Sequence, residues 1–254
     1  MIEFKELDSA QKIFYKELLS EYLDKTICKI EDIKFVESRH VLMRYMPEKS
    51  ICAEIGVDQG DYSRSILKQA SPKKLHLIDA WEKINNQSYS DFKKDVLELK
   101  SFEKAYEKFS KIKGFAKLSQ YYKKRFFRLN LGKKMREQIE NKQIEIHHGF
   151  ASDISSLFSD NYFDWIFIDA DHSYDSVKDD CLKYESKVKE NGYIIAHDYI
   201  KPRFKSVIDA INDFCIEKEW RIRVVCIDYF SKNKSAVASV LLTKKNNNFS
   251  LDTK

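Results

Sequence analysis

The stretch "WIFIDADHSYDSVKDD", Trp165 to Asp180, begins as an apolar run and then presents Asp169, Asp171, His172 and Asp175 in close succession. A second apolar run, "GYIIAHDY", ends in His197 and Asp198. A buried strand has no packing use for ionisable groups, because a charge removed from water costs free energy unless it is paired. Carboxylates and imidazoles grouped in this way can do two kinds of chemistry. They can hold a divalent cation through oxygen and nitrogen ligands, or they can take the proton of a hydroxyl nucleophile. Part of the first stretch has a plainer reading. Ser173 suits a helix N-cap and Asp175 its first turn, so Asp175, Asp179 and Asp180 read as helix-dipole or surface residues.

Two further constellations stand earlier in the chain. In "AEIGVDQGDYS", Ala53 to Ser63, a strand containing Glu54 runs into a turn bracketed by Gly56 and Gly60, and a helix follows. Glycine there allows close backbone approach and positive φ, and the N–H groups at a helix start can bind an anionic group. Asp79 ends "LHLID", where nucleotide-binding α/β folds place an acid for ribose hydroxyls. The dinucleotide pattern G-x-G-x-x-G is absent; the pattern is E-x-G-x-x-x-G, with Asp58 inside it.

The elements that must position these groups alternate. Strand-like runs "KSICAEIGV", "KLHLIDAW", "QIEIHHGF", "FDWIFIDA", "GYIIAHDY", "IRVVCIDYF" and "AVASVLLTKK" are mostly separated by helical segments. That pattern predicts a mainly parallel sheet covered on both faces. "SKNKS" alone joins the last two runs, too short for a parallel crossover, so they should pair antiparallel. The expected organisation is an N-terminal helical extension over 1–46, a main domain over 47–245 and a flexible tail over 246–254. Residues 82–142 read as a helical insertion whose second half is basic, with Arg125 and Arg128 suited to an anionic substrate if the segment is a lid. The plainer reading of that insertion is a solvated helical face.

Composition sets bounds. Apolar residues make up 43% and aromatic ones 13% of 254 residues, enough for a sizeable core, and a net charge of +5 spread over mixed signs says little about partners. The five cysteines (Cys28, Cys52, Cys181, Cys215, Cys226) form no C-x-x-C pair, which removes zinc-knuckle and redox readings. No run approaches the ~20 apolar residues of a membrane span, and the first residues do not read as a signal peptide. The expectation is a cytoplasmic protein. His147 and His148 end a strand and are expected to be non-catalytic, and His40 and His76 carry no signal.

The combined motifs resemble the class I S-adenosylmethionine-dependent methyltransferases, in the branch of sugar and macrolide O-methyltransferases, over roughly Ser50 to Leu242 without the insertion. The resemblance implies a Rossmann-like sheet of seven strands with an antiparallel last strand. It implies a cofactor site at Glu54, Gly56, Gly60, Ser63, Asp79, Ala151, Ser152 and Asp169, with Asp79 on the ribose diol and the Phe150 region beside the adenine. It implies catalytic roles among Asp171, His172 and His197, with Asp171 as a candidate base. A divalent cation (Mg²⁺ or Mn²⁺) would sit on Asp169, His197 and Asp198; His197 departs from the oxygen ligand of metal-dependent relatives and suits Mg²⁺ less. The expected acceptor is a small molecule, a sugar or nucleotide-activated sugar for surface polysaccharide such as capsule. Another acceptor (a small aromatic or RNA) and a non-catalytic cofactor-binding protein are the alternatives. Nucleic acid is disfavoured as a partner, and a homo-oligomer is left open.

Overall fold

A computed structural model describes residues 20, 32–81, 131–132, 134–200, 204–230 and 235–247. Eight strands form one sheet: β1 (Lys34–Val36), β2 (Ile51–Ile55), β3 (Lys74–Asp79), β4 (Ile144–His148), β5 (Phe163–Ile168), β6 (Val188–Ala196), β7 (Trp220–Phe230) and β8 (Ser235–Lys244). Their spatial order is β1-β7-β8-β6-β5-β2-β3-β4. Every neighbouring pair is parallel except β6 with β8 and β7 with β8. All seven expected strands are present, and the last is antiparallel as the short "SKNKS" link required. The eighth, β1, lies where sequence periodicity suggested only helix. Three residues are too short to show an alternation, and β1 gains its ladder only by pairing Lys34, Phe35 and Val36 with Val224, Val225 and Cys226 of β7.

The helices are α1 (Arg39–Leu42), α2 (Asp61–Ala70), α3 (Arg136–Glu140), α4 (Ala151–Ile154), α5 (Tyr174–Glu185) and α6 (Lys205–Lys218). Local chemistry sets their ends. Gly60 caps α2 at φ +72°, and Ser71 ends it in the left-handed region just before Pro72. The Ser173 hydroxyl accepts the Ser176 N–H at the start of α5.

Two apolar clusters lie on opposite faces of the sheet. On one, Leu42, Met43, Tyr62 and Ile66 pack with Leu75, Leu77, Trp165 and Phe167. On the other, Val177, Cys181, Tyr184, Val207, Ile211 and Phe214 pack with Ile55, Ile78, Ile166 and Ile194. Each fully buried aliphatic or aromatic side chain is worth about 1.5–3 kcal/mol, so these two layers carry the fold. Cys52, Cys181, Cys215 and Cys226 are buried free thiols.

The readings on 1–19, 21–31, 82–130 and 248–254, including Cys28, Arg125 and Arg128, fall outside the described residues. Where the insertion rejoins the sheet, Leu131 and Met135 are buried against α2. A Cβ on Gly60 would lie 2.0 Å from Leu131 Cδ1, so this glycine serves packing as well as the turn. Among the described residues no helix is long and apolar enough to cross a membrane.

Candidate active site

The strand order reverses direction between β2 and β5, and an open α/β sheet forms its ligand crevice beyond the carboxyl ends of strands at such a point. A cavity of about 600 Å³ opens there, lined by Ile55, Gly56, Asp58, Ile78, Asp79, Ala80, Trp81, Gly149, Phe150, Ala151, Ser152, Asp169, Ala170, Asp171, His172, Ser176, Asp179 and Asp180. Its volume falls in the usual range for small-molecule sites.

The glycine turn is locked to both neighbouring strands. Gly56 has φ +86°, and a Cβ there would stand 2.0 Å from the Asp169 carbonyl oxygen. The Gly56 N–H donates to Ile78 O, and the Asp169 N–H donates to Ile55 O. Asp79 holds the same turn from the other side. Its Oδ2 accepts the N–H groups of Val57 (2.7 Å) and Asp58 (2.8 Å), and its Oδ1 accepts that of Trp81 (2.6 Å). A carboxylate offers about four acceptor positions, so one further hydroxyl can add to this set. Beneath the turn, the Ser63 hydroxyl donates to Glu54, which is buried. Burial pushes the Glu54 pKa up to about 8, against the pull of Ser63.

Of the residues expected at the cofactor, Gly56, Asp79, Ala151, Ser152 and Asp169 line the cavity, whereas Glu54, Gly60 and Ser63 brace the turn from behind. Apolar walls come from Ile55, Ile78, Trp81 and Phe150, and Phe150 is 52% exposed.

Beyond β5 and β6 the ionisable groups meet. His172 Nε2 lies 2.7 Å from Asp198 Oδ2. A carboxylate only accepts, so His172 donates from Nε2, and Nδ1 is the ring nitrogen left outside this contact. The His172 ring stacks obliquely on Phe204 at 4.9 Å, and the Ser206 hydroxyl donates to the His172 carbonyl, so α6 fixes this loop. His197 is buried, with Nδ1 3.3 Å from Asp169 Oδ1 and 3.1 Å from Asp198 Oδ1. Burial opposes charge on this ring, but Asp169 and Asp198 outweigh it and push its pKa up to about 9. The native state therefore holds this proton more tightly than the unfolded chain. That contributes stability fully present below the unfolded value of 6.5 and lost as pH rises through about 9.

Arg39 closes the group. Its guanidinium lies 3.4 Å from Asp169 and 3.3 Å from Asp228 and sits 4.6 Å over the Tyr62 ring. Burial would raise the Asp169 pKa, yet His197 and Arg39 hold it below the ordinary value. Asp58, Trp81 and Asp198 all have positive φ at this edge, local strain of the kind that collects at functional sites.

Asp171 is exposed, and its Oδ1 accepts the Ser173 N–H at 2.7 Å. That bond holds its pKa below the usual carboxylate value, so it caps the entry to α5. Asp180 is not the surface residue that its sequence position suggested. It is only 8% exposed and lines the cavity beside Asp179. The apolar stripe Val177, Cys181 and Tyr184 turns this face of α5 inward. Burial, reinforced by Asp179 and Asp171, pushes the Asp180 pKa up to about 7. Sequence reasoning also missed Asp58, Trp81, Arg39 and Asp228. Asp228 carried a signal, since "CIDYF" sets an acid two residues before the end of an apolar strand.

A family model described as a methyltransferase domain matches residues 53–199, more than half of the chain. The chain belongs to this family. The protein is a class I S-adenosylmethionine-dependent methyltransferase. Among solved structures, the methyltransferase is similar to a SAM-dependent methyltransferase from Aquifex aeolicus, at 13% identity over 93% of this chain and 98% of that one, with a TM-score of 0.47. It is also similar to precorrin-6y C5,15-methyltransferase from Geobacter metallireducens GS-15, at 10% identity over 89% and 94%, with a TM-score of 0.49. A third is TrmN from Thermus thermophilus, at 10% identity over 81% of this chain and 47% of that one, with a TM-score of 0.49. No curated protein matches the sequence.

The methyltransferase cavity fits its methyl donor in charge. Asp58, Asp79, Asp169, Asp171, Asp179 and Asp180 line it, and no Lys or Arg appears in its lining among the described residues. S-adenosylmethionine brings a cationic sulfonium and an ammonium group, which a negative cleft concentrates. Asp79→Ala should weaken cofactor binding by about 1–3 kcal/mol, through lost charge-assisted hydrogen bonds and a loosened turn. Calorimetry reads this directly, and an unchanged affinity would remove Asp79 from the site.

Proposed function

We propose that this methyltransferase is an O-methyltransferase that acts on a sugar hydroxyl, with His172 as general base and Asp198 as the group that orients it. The single observation behind the mechanism is the 2.7 Å contact between His172 and Asp198 at the mouth of the cavity. A sugar hydroxyl is a poor nucleophile, and its proton must leave as the methyl arrives. Asp198 holds His172 in the tautomer whose Nδ1 can take that proton, and it stabilises the imidazolium that results. Asp169 and Asp79 hold the cofactor's polar groups, and Ala151 and Ser152 border its purine. When bound, S-adenosylmethionine supplies the electrophilic methyl group.

The carboxylates around the cavity support a polyhydroxy acceptor, because each can accept hydrogen bonds from hydroxyl groups. A nucleotide-activated sugar for capsule-type polysaccharide is the finer reading. Its diphosphate would need cations, and the sequence offers a basic run that includes Arg125 and Arg128.

A divalent cation fits this site poorly. Asp169, His172 and Asp198 do bring donor atoms within 4.8 Å of one another, a different trio from the one with His197. The charge of Asp169 and Asp198 is already met by the His197 imidazolium and by Arg39. No step is assigned to a metal.

The test is transfer of labelled methyl from S-adenosylmethionine to a panel of free sugars, sugar nucleotides, catechols and RNA, with and without EDTA. Sugar-dependent transfer that EDTA leaves intact is the expected result. Transfer only to a catechol or RNA would sink the acceptor assignment, and loss in EDTA with recovery in Mn²⁺ would restore the metal.

A further inference from the structure

Away from the cavity, β3 and β4 bring together His76, Glu145 and His147. His76 and Glu145 are register partners, and His147 lies two residues further along β4, so all three project from one face of the sheet edge. His76 Nδ1 and His147 Nε2 are 2.9 Å apart, and Glu145 Oε1 is 3.9 Å from His147 Nε2. The three donor atoms lie within 4.8 Å of one another. Both histidines are buried, roofed by Phe158 and, over His76, Phe163. None of the three lines the cavity.

We infer that His76, Glu145 and His147 form a Zn²⁺-type site that ties the edge strand β4 to β3. Two imidazoles and one carboxylate are a ligand set zinc accepts, with the fourth position of its tetrahedron left for water. Bonds of about 2.0–2.2 Å in that geometry hold neighbouring donors about 3.3 Å apart, and the distances of 2.9 and 3.9 Å lie on either side of this value. A neutral histidine pair would account for the first contact alone. It does not call on the Glu145 carboxylate, which pairs Oε2 with Lys74 at 2.8 Å and sets Oε1 beside His147. The outer partner that orients a zinc-bound imidazole is also in place, because His76 Nε2 lies 3.1 Å from the Tyr162 hydroxyl. The entry route is on the Glu145 side, where that side chain is 41% exposed. The ion would set the end of β4, and Gly149 to Ser152, which line the cofactor cavity, follow at once.

The inference does not depend on the acceptor or on His172 as base. The full-length chain carrying His172→Ala, which removes the imidazole of the other cluster, is titrated with Co²⁺ as the probe. The expected result is a d–d absorption band of a four-coordinate nitrogen and oxygen site that saturates at a single equivalent per chain. Tyr162→Phe should weaken binding about 10–100-fold, the usual cost of losing an outer partner, and Glu145→Gln and His147→Ala should weaken it more. If His147→Ala does not fold, the half-exposed Glu145→Gln decides. Absence of the band, or titrations unchanged by Glu145→Gln and Tyr162→Phe, would overturn the site.

Discussion

His172→Gln is expected to cut kcat by about 10²–10⁴, the range supplied by a positioned general base, while the affinity for S-adenosylmethionine stays at the wild-type value. Glutamine keeps most of the side-chain length and cannot take a proton. Asp198→Asn should fall toward the same rate, because an amide can donate to Nε2 and so permits the tautomer that places the lone pair there. Asp171→Asn is the discriminating control. The Asp171 carboxylate is exposed and accepts the Ser173 N–H with Oδ1, and an asparagine keeps that acceptor and removes only the charge, so both stability and the chemical step should stay nearly unchanged. Single-turnover rates with saturating cofactor separate these cases. A fully active His172→Gln with an inactive Asp171→Asn would transfer the base to Asp171.

Gly56→Ala should have the largest effect on stability, roughly 3–5 kcal/mol in urea unfolding, near the upper end for single substitutions. Two terms add. A non-glycine residue at φ +86° is strained by about 1–3 kcal/mol. The new Cβ would also stand 2.0 Å from the Asp169 carbonyl oxygen and 2.4 Å from its carbon. Relief requires the ends of β2 and β5 to separate, and the crevice opens between them. A variant within about 1 kcal/mol of wild type would show that this contact can relax cheaply.

The sheet was legible because its strands are buried on both faces and read as near-continuous apolar runs. The crevice was legible because glycines and acids interrupt those runs at their carboxyl ends. What escaped reading depended on distant partners. Nothing local marks Lys34 to Val36 as a strand, since β7, from the far end of the chain, supplies the ladder. Asp180 looked like an exposed helix residue because two neighbouring acids hid the inward stripe Val177, Cys181 and Tyr184. The partnership of His172 with Asp198, and of His197 with both Asp169 and Asp198, turns on side-chain directions at two strand ends, which spacing along the chain does not encode. His76 was silent for the same reason: its interest comes only from His147 on the next strand.

The joining of β1 to β7 and the reach of Arg39 to Asp169 and Asp228 bear on how such a protein can change by recombination. Arg39 precedes the family-matched span of 53–199 and Asp228 follows it, so the charge balance at the cavity is assembled from three separate stretches of gene. A fragment trimmed to the matched span would keep the turn, the crevice and His172. It would lose a cation that holds Asp169 ionised, and it would end its sheet at β6 with an unpaired edge that invites association with other chains. A front segment exchanged with another lineage would bring a foreign residue into contact with Asp169 even though every motif of the matched span remained untouched.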